Sequence, residues 1–154
     1  MITLYLVEKG LLSKPTLYLS DFFERNKGSY YDSLTVVQTS NNIEQWIKFF
    51  LTGVAETAKK GKMTFEQIIL LRQNAESRIL SLGRRGKEGH RLLRLLFSDP
   101  IVTAKKAGEY LNLTHPAVNR LLENFREKGI LTELTGFRRN RVFAFIGYLD
   151  LFSK

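Results

Sequence analysis

A chain of 154 residues and 17.8 kDa has length for one compact domain or two very small ones. Its 44% hydrophobic and 25% charged residues exclude a mostly disordered protein, and the absence of cysteine excludes disulfides, thiolate metal sites and a cysteine nucleophile. The formal charge of +9 is uneven: residues 1–83 carry 10 basic and 8 acidic side chains, residues 84–154 carry 14 and 7. A basic second half points to a polyanionic partner such as nucleic acid, although such an excess also serves solubility alone.

No stretch approaches the ~20 apolar residues of a membrane span. The start, Met1–Val7, lacks the basic leader and cleavage site of a signal peptide. Apolar from its second residue and without an N-cap, it reads as the middle of a helix. That helix is expected to end near Lys9-Gly10, with the glycine in the left-handed conformation. Ser13-Lys-Pro-Thr16 reads as a turn. A second helical pattern runs from Leu17 to Val37, with Leu19, Phe22, Phe23, Tyr30 and Leu34 on one face and Ser20 or Asp21 as cap. Thr39-Ser-Asn-Asn42 breaks it. Asn42 is expected to cap an amphipathic helix from Ile43 to Lys60, with Ile43, Trp46, Ile47, Phe50, Leu51 and Val54 on its core face. Lys59-Lys-Gly-Lys62 then ends that helix, and Thr64 with Gln67 forms a capping box for another that reaches Ser81. Residues 1–81 thus read as all-α. Residues 82–90 contain Gly83, Gly86 and Gly89 among charges. With no strand before them they read as a solvated hinge rather than a phosphate-binding loop.

Residues 91–154 form the second domain. Arg91 to Phe97 is a short helix stopped by Asp99-Pro100. Thr103 caps a helix to Leu111, and Thr114 caps another, with Pro116 in its first turn, that runs to Lys128-Gly129. Ile130–Leu134 and Arg141–Ile146 alternate as two strands around a basic loop, Gly136-Phe-Arg-Arg-Asn140. Helix, helix, tight turn, helix and a two-stranded ribbon with a basic tip is the winged helix-turn-helix order. The fold expected is mainly α: a helical bundle segment followed by a winged helix-turn-helix with a small two-stranded ribbon.

Leu17-Tyr-Leu-Ser-Asp-Phe-Phe-Glu-Arg-Asn26 with Tyr30-Tyr-Asp-Ser-Leu34 resembles the stretch that follows the catalytic motif in Fic-family proteins, and Glu8-Lys-Gly-Leu-Leu12 fits the same alignment. Trp46-Ile47 and Phe49-Phe-Leu-Thr-Gly-Val54 continue the resemblance. Gly129-Ile-Leu131, Thr135-Gly136, Arg139-Asn-Arg141 and Tyr148-Leu-Asp-Leu151 look like the winged-helix extension of many bacterial members. The resemblance implies that residues 1–81 are the end of a Fic-type domain. That family transfers AMP from ATP to a protein hydroxyl through a His-Pro-Phe-x-x-Gly-Asn-Gly-Arg loop. The chain contains no such loop: its one His-Pro pair, His115-Pro116, is followed by Ala117-Val-Asn-Arg120. The loop is expected just upstream of Met1, so that this chain alone is not an enzyme and needs no cofactor. ATP and Mg are implied for the parent protein alone, whose catalytic core would be a partner of this chain in the cytoplasm.

The candidate function therefore lies in the second half. At about 100° per residue, Val118, Leu121, Leu122 and Phe125 share one side of the third helix, while Asn119, Arg120, Glu123 and Glu127 face away. Asn pairs with adenine and Arg with guanine, so Asn119 and Arg120, beside Thr114 and His115, are candidate readers of duplex DNA. Glu123 and Glu127 oppose this, because carboxylates repel phosphates. Lys105, Lys106, Arg138, Arg139, Asn140 and Arg141 complete the expected DNA-contacting set. The alternative is a docking module, without DNA, that packs on a parent domain or forms a homodimer.

Overall fold

The computed structural model describes residues 8–10, 19–81, 83, 86–137 and 140–152. Among them the fold is mainly helical, seven helices with a small three-stranded antiparallel sheet. No helix among the described residues is long and apolar enough to cross a membrane. The expected elements within 1–7 and 11–18 lie outside the described residues; Gly10 has φ +70°, the left-handed value expected of it.

The single helix expected over 17–37 is two: α1 (Leu19–Arg25) and α2 (Lys27–Ser40). Asn26 separates them at φ −114° and ψ 34°, its side-chain amide donating to the Phe22 carbonyl at 2.9 Å. The side-chain amide thus shares the Phe22 carbonyl with the Asn26 backbone N–H, which donates to it at 3.0 Å. Asn41, at φ 53°, ends α2, and Asn42 Oδ1 accepts from the Glu44 N–H at 3.0 Å to start α3 (Glu44–Leu80).

The sequence predicts two helices where α3 is one of 37 residues. Gly61 sits in it with no foreign atom within 4 Å of a would-be Cβ. A helical glycine costs only about 1 kcal/mol relative to alanine, whereas a new helix needs a fresh, unfavourable nucleus. The lysines around Gly61 are good helix formers, so the helix runs through them.

The chain divides into two compact units, Met1–Met63 and Thr64–Lys154. The division falls inside α3 and not in the glycine-rich stretch 82–90. Ala75 and Ile79, from the end of α3, are buried in the second unit's core, and Gly86–His90 belong to the next helix, α4 (Gly86–Ser98). In the first unit Phe22, Phe23, Tyr30, Tyr31 and Phe49 make a chain of ring contacts with centroids 5.3–6.2 Å apart. Trp46 is half-buried rather than core; it stacks on Phe50 at 5.4 Å, and its buried indole N–H has no acceptor among the described residues.

The second unit continues from α4 with β1 (Ile101–Thr103), α5 (Ala104–Leu111), α6 (His115–Glu127), β2 (Thr132–Glu133), β3 (Val142–Ala144) and α7 (Ile146–Leu149). The expected ribbon gains a third strand. β3 lies in the middle, pairing Val102 with Phe143 on one side and Glu133 with Phe143 on the other. Three residues of β1 are too short for an alternation signal, and their partner lies some forty positions away. Leu92, Leu93 and Leu96 from α4, Ala107 and Leu111 from α5, Val118, Leu121, Leu122 and Phe125 from α6, and Phe143 from β3 meet in one core. At the α5–α6 contact, a Cβ on Gly108 would lie in ordinary van der Waals contact with Val118 Cγ2, at 3.5 Å.

Candidate nucleic-acid interface

The core sets the face that α6 presents. Val118, Leu121, Leu122 and Phe125 are buried, which leaves His115 and Arg120 exposed and Asn119 half-buried on the first two turns. Asn112 takes the left-handed conformation, φ 55°, to turn the chain from α5 into α6. Thr114 stands at the N-cap in extended backbone, but its hydroxyl makes no capping bond, so the expected cap is present in position and not in bonding. The Asn119 amide nitrogen lies 2.8 Å from His115 Nδ1, one helical turn earlier. The Arg120 side chain has no ion pair or hydrogen bond among the described residues.

α5 brings its own charges. Thr103 Oγ1 accepts from the Lys106 N–H at 3.3 Å, the cap the sequence predicts. Lys105 is exposed and its ammonium has no partner among the described residues, whereas the Lys106 ammonium pairs with Asp99. The two lysines of the predicted set are therefore in different electrostatic states.

The loop between β2 and β3 is held at both ends. The Leu134 N–H donates to the Val142 carbonyl at 2.8 Å and the Val142 N–H to Thr135 Oγ1 at 3.1 Å. Gly136 at φ 61° and Asn140 at φ 54° turn it, and Leu134, Phe137 and Asn140 are exposed. Arg138 and Arg139 lie outside the described residues.

Arg141 is not free. Its Nε donates to Glu133 Oε1 at 2.8 Å, and Nη2 reaches Glu133 Oε2 at 2.5 Å and Glu123 Oε2 at 3.0 Å. Its guanidinium lies 4.8 Å from the Phe143 ring centroid. Arg126 pairs with Glu123 and approaches Glu133 at 3.9 Å. The hydrogen bond from Arg141 holds the Glu133 carboxyl below the usual carboxylate range, against the opposing effect of burial, and the charges of Arg141 and Arg126 add to it. The same contacts raise the Arg141 pKa further.

Sequence reasoning counted Glu123 against an anion-binding face, but here its charge is matched by two arginines. It also missed two arginines that satisfy helix-end carbonyls. Arg91 donates to the Tyr110 and Leu111 carbonyls, both at 3.1 Å, at the end of α5. Arg78 Nη1 donates to the Lys128 and Gly129 carbonyls at 3.0 and 3.2 Å, after α6. Helix-end carbonyls attract such cations, but nothing local in the sequence marks which distant arginine supplies them.

No protein-family model matches the chain.

Proposed function

We propose that the second unit is a winged helix-turn-helix that binds duplex DNA, with α6 in the major groove and the β2–β3 loop as the wing. One observation carries the reading: the core buries a single side of α6 and leaves Asn119 and Arg120 on the other, with Lys105 on the preceding helix, both cations without a partner among the described residues. An amide and a guanidinium on one helix face are the side chains that form bidentate bonds with adenine and guanine. Residues 84–154 carry a net +7, which supports backbone contacts by Lys105, Arg120, Arg138 and Arg139.

With Lys106 and Arg141 already paired, those four cations are the phosphate contacts to expect. At about −0.9 per contact, log K should fall with log salt at a slope of about −3 to −4. Titrating labelled duplexes at two salt concentrations tests this. Asn119→Ala should change preference among sequences, by ~1–3 kcal/mol at the base it reads, while leaving the salt slope in place. A slope near zero, or no binding at low salt, would remove the reading.

Exposed Leu134 and Phe137 in the β2–β3 loop favour the second reading, a docking or dimerisation module without DNA. Self-association together with absent duplex binding would select it.

Residues 1–81 we propose as the end of a Fic-type domain, on the resemblance of Leu17–Asn26, Tyr30–Leu34 and Trp46–Val54. ATP and Mg belong in this proposal to the parent protein. The purified chain is expected to transfer no labelled AMP to any protein. A His-Pro-Phe-x-x-Gly-Asn-Gly-Arg loop encoded upstream of Met1 would support the assignment, and AMP transfer by the chain alone would contradict it.

A further inference from the structure

We propose that Arg141 is a positioning residue: its guanidinium bolts the β2–β3 ribbon to α6 and so sets where the loop stands relative to the reading face of that helix. The inference rests on the DNA-binding reading above and adds how that interface is held in shape.

The geometry is that of a bolt. Arg141 immediately precedes β3, Glu133 is on β2 and Glu123 is on α6, so one planar group ties three elements. Two of its bonds to Glu133 form a fork, and its second nitrogen also reaches Glu123. The side chains are 24% exposed for Arg141, 13% for Glu133 and 28% for Glu123. An exposed single pair would hold little. A forked, half-buried pair with a third partner and the buried Phe143 ring beneath it is geometrically specific and holds more. The edge strand β2 has most to gain from this hold, because it has two residues and pairs with β3 alone.

Arg126 and Arg141 face Glu123 and Glu133, two cations against two anions. Handing Arg141 to a phosphate would leave Arg126 alone to face two carboxylates beside that phosphate. The group thus contributes no net cation to DNA, only the place of the loop whose Arg138 and Arg139 supply charge.

The test uses the full chain with Arg141→Lys and Arg141→Ala. Lysine keeps the charge but lacks the fork, so it cannot hold both carboxylates in one geometry. In both variants the free protein should exchange the Leu134 and Val142 amide hydrogens about tenfold faster or more. Duplex affinity should fall at every salt concentration with the slope of log K against log salt unchanged. Unaltered exchange in Arg141→Lys would overturn the proposal. So would a slope that drops by about 0.9 in Arg141→Ala, the mark of one lost phosphate contact. If the wild-type chain binds no duplex, the DNA reading fails, and the exchange measurement still decides whether Arg141 holds the ribbon. If Arg141→Ala does not fold, the lysine variant carries both measurements.

Discussion

The two units solve the burial problem differently. From Thr64 onward, aliphatic and aromatic side chains of α3, α4, α5, α6 and the sheet are buried in one continuous core. Up to Met63, Leu19 and Phe22 are the large side chains buried among the described residues, and the remaining aromatic rings touch while half-exposed. Ile43, Ile47 and Leu51 are 56%, 41% and 58% exposed. Burial stabilises by about 25 cal/mol per Å² of apolar surface, so among the described residues the larger share of this stabilisation falls in the second unit. The interface proposed for DNA is built on the unit with the continuous core, as a site requiring fixed geometry should be.

Core truncations should show the contrast most strongly. Leu122 is fully buried, and Leu122→Ala should cost about 2–5 kcal/mol through lost transfer energy and a cavity. Half-exposed Phe23 in the first unit should cost well under half as much on truncation. Urea melts of the two variants check this, and equal losses would break the comparison.

Two glycines of α3 sharpen it. A Cβ on Gly53 would lie 2.5 and 2.6 Å from ring carbons of Phe22, which is itself buried against Phe49. Gly53→Ala should therefore destabilise by up to ~2 kcal/mol, an overpacking cost of about 1–3 less the gain in helix propensity. Gly61 has open space and should gain up to about 1 kcal/mol as alanine. Thermal melts giving both variants the same sign would show that Gly53 is not in close contact.

A smaller effect belongs to α5. Thr103→Ala removes the acceptor for the Lys106 N–H and should cost about 1 kcal/mol, readable in the urea midpoint.

The subtlest prediction concerns pH. The folded-state pKa of Glu133 is depressed, mainly by the Arg141 hydrogen bond. Its contribution to stability is therefore complete above the unfolded value of about 4.3 and is lost as pH falls through the folded value. Urea midpoints of wild type and Glu133→Gln should differ by a constant amount above about pH 6 and converge below about pH 4. A difference independent of pH down to about 3 would contradict the pairing.

What the sequence made legible was whatever local pattern determines. The apolar repeat Val118, Leu121, Leu122, Phe125 gives the buried face of α6, and Thr103 marks a cap that the structure shows bonded. The fold class follows from such repeats. What escaped depends on partners distant in the chain. β1 exists because β3 lies beside it, and Gly86–His90 continue as helix although glycine alone argues for a hinge. Lys59–Lys62 look like a terminus because a helix end and an exposed basic helix surface have the same composition. The candidate site shows the same limit. Lys105 and Arg120 differ from Lys106 and Arg141 only through partners that folding brings near, Asp99 for one and Glu123 and Glu133 for the other.

We propose that the open face of α6 meets the phosphates and bases of duplex DNA. The most direct measurement removes Arg120 from that face and Lys105 from the preceding helix, α5, both without a partner among the described residues. Wild type and the Lys105→Ala, Arg120→Ala double variant should be titrated with one labelled duplex across a series of salt concentrations, alongside a thermal melt of each. The account predicts equal melting temperatures, weaker binding, and a salt slope flattened by about two units, one for each lost phosphate contact. An unchanged slope with unchanged affinity would contradict it.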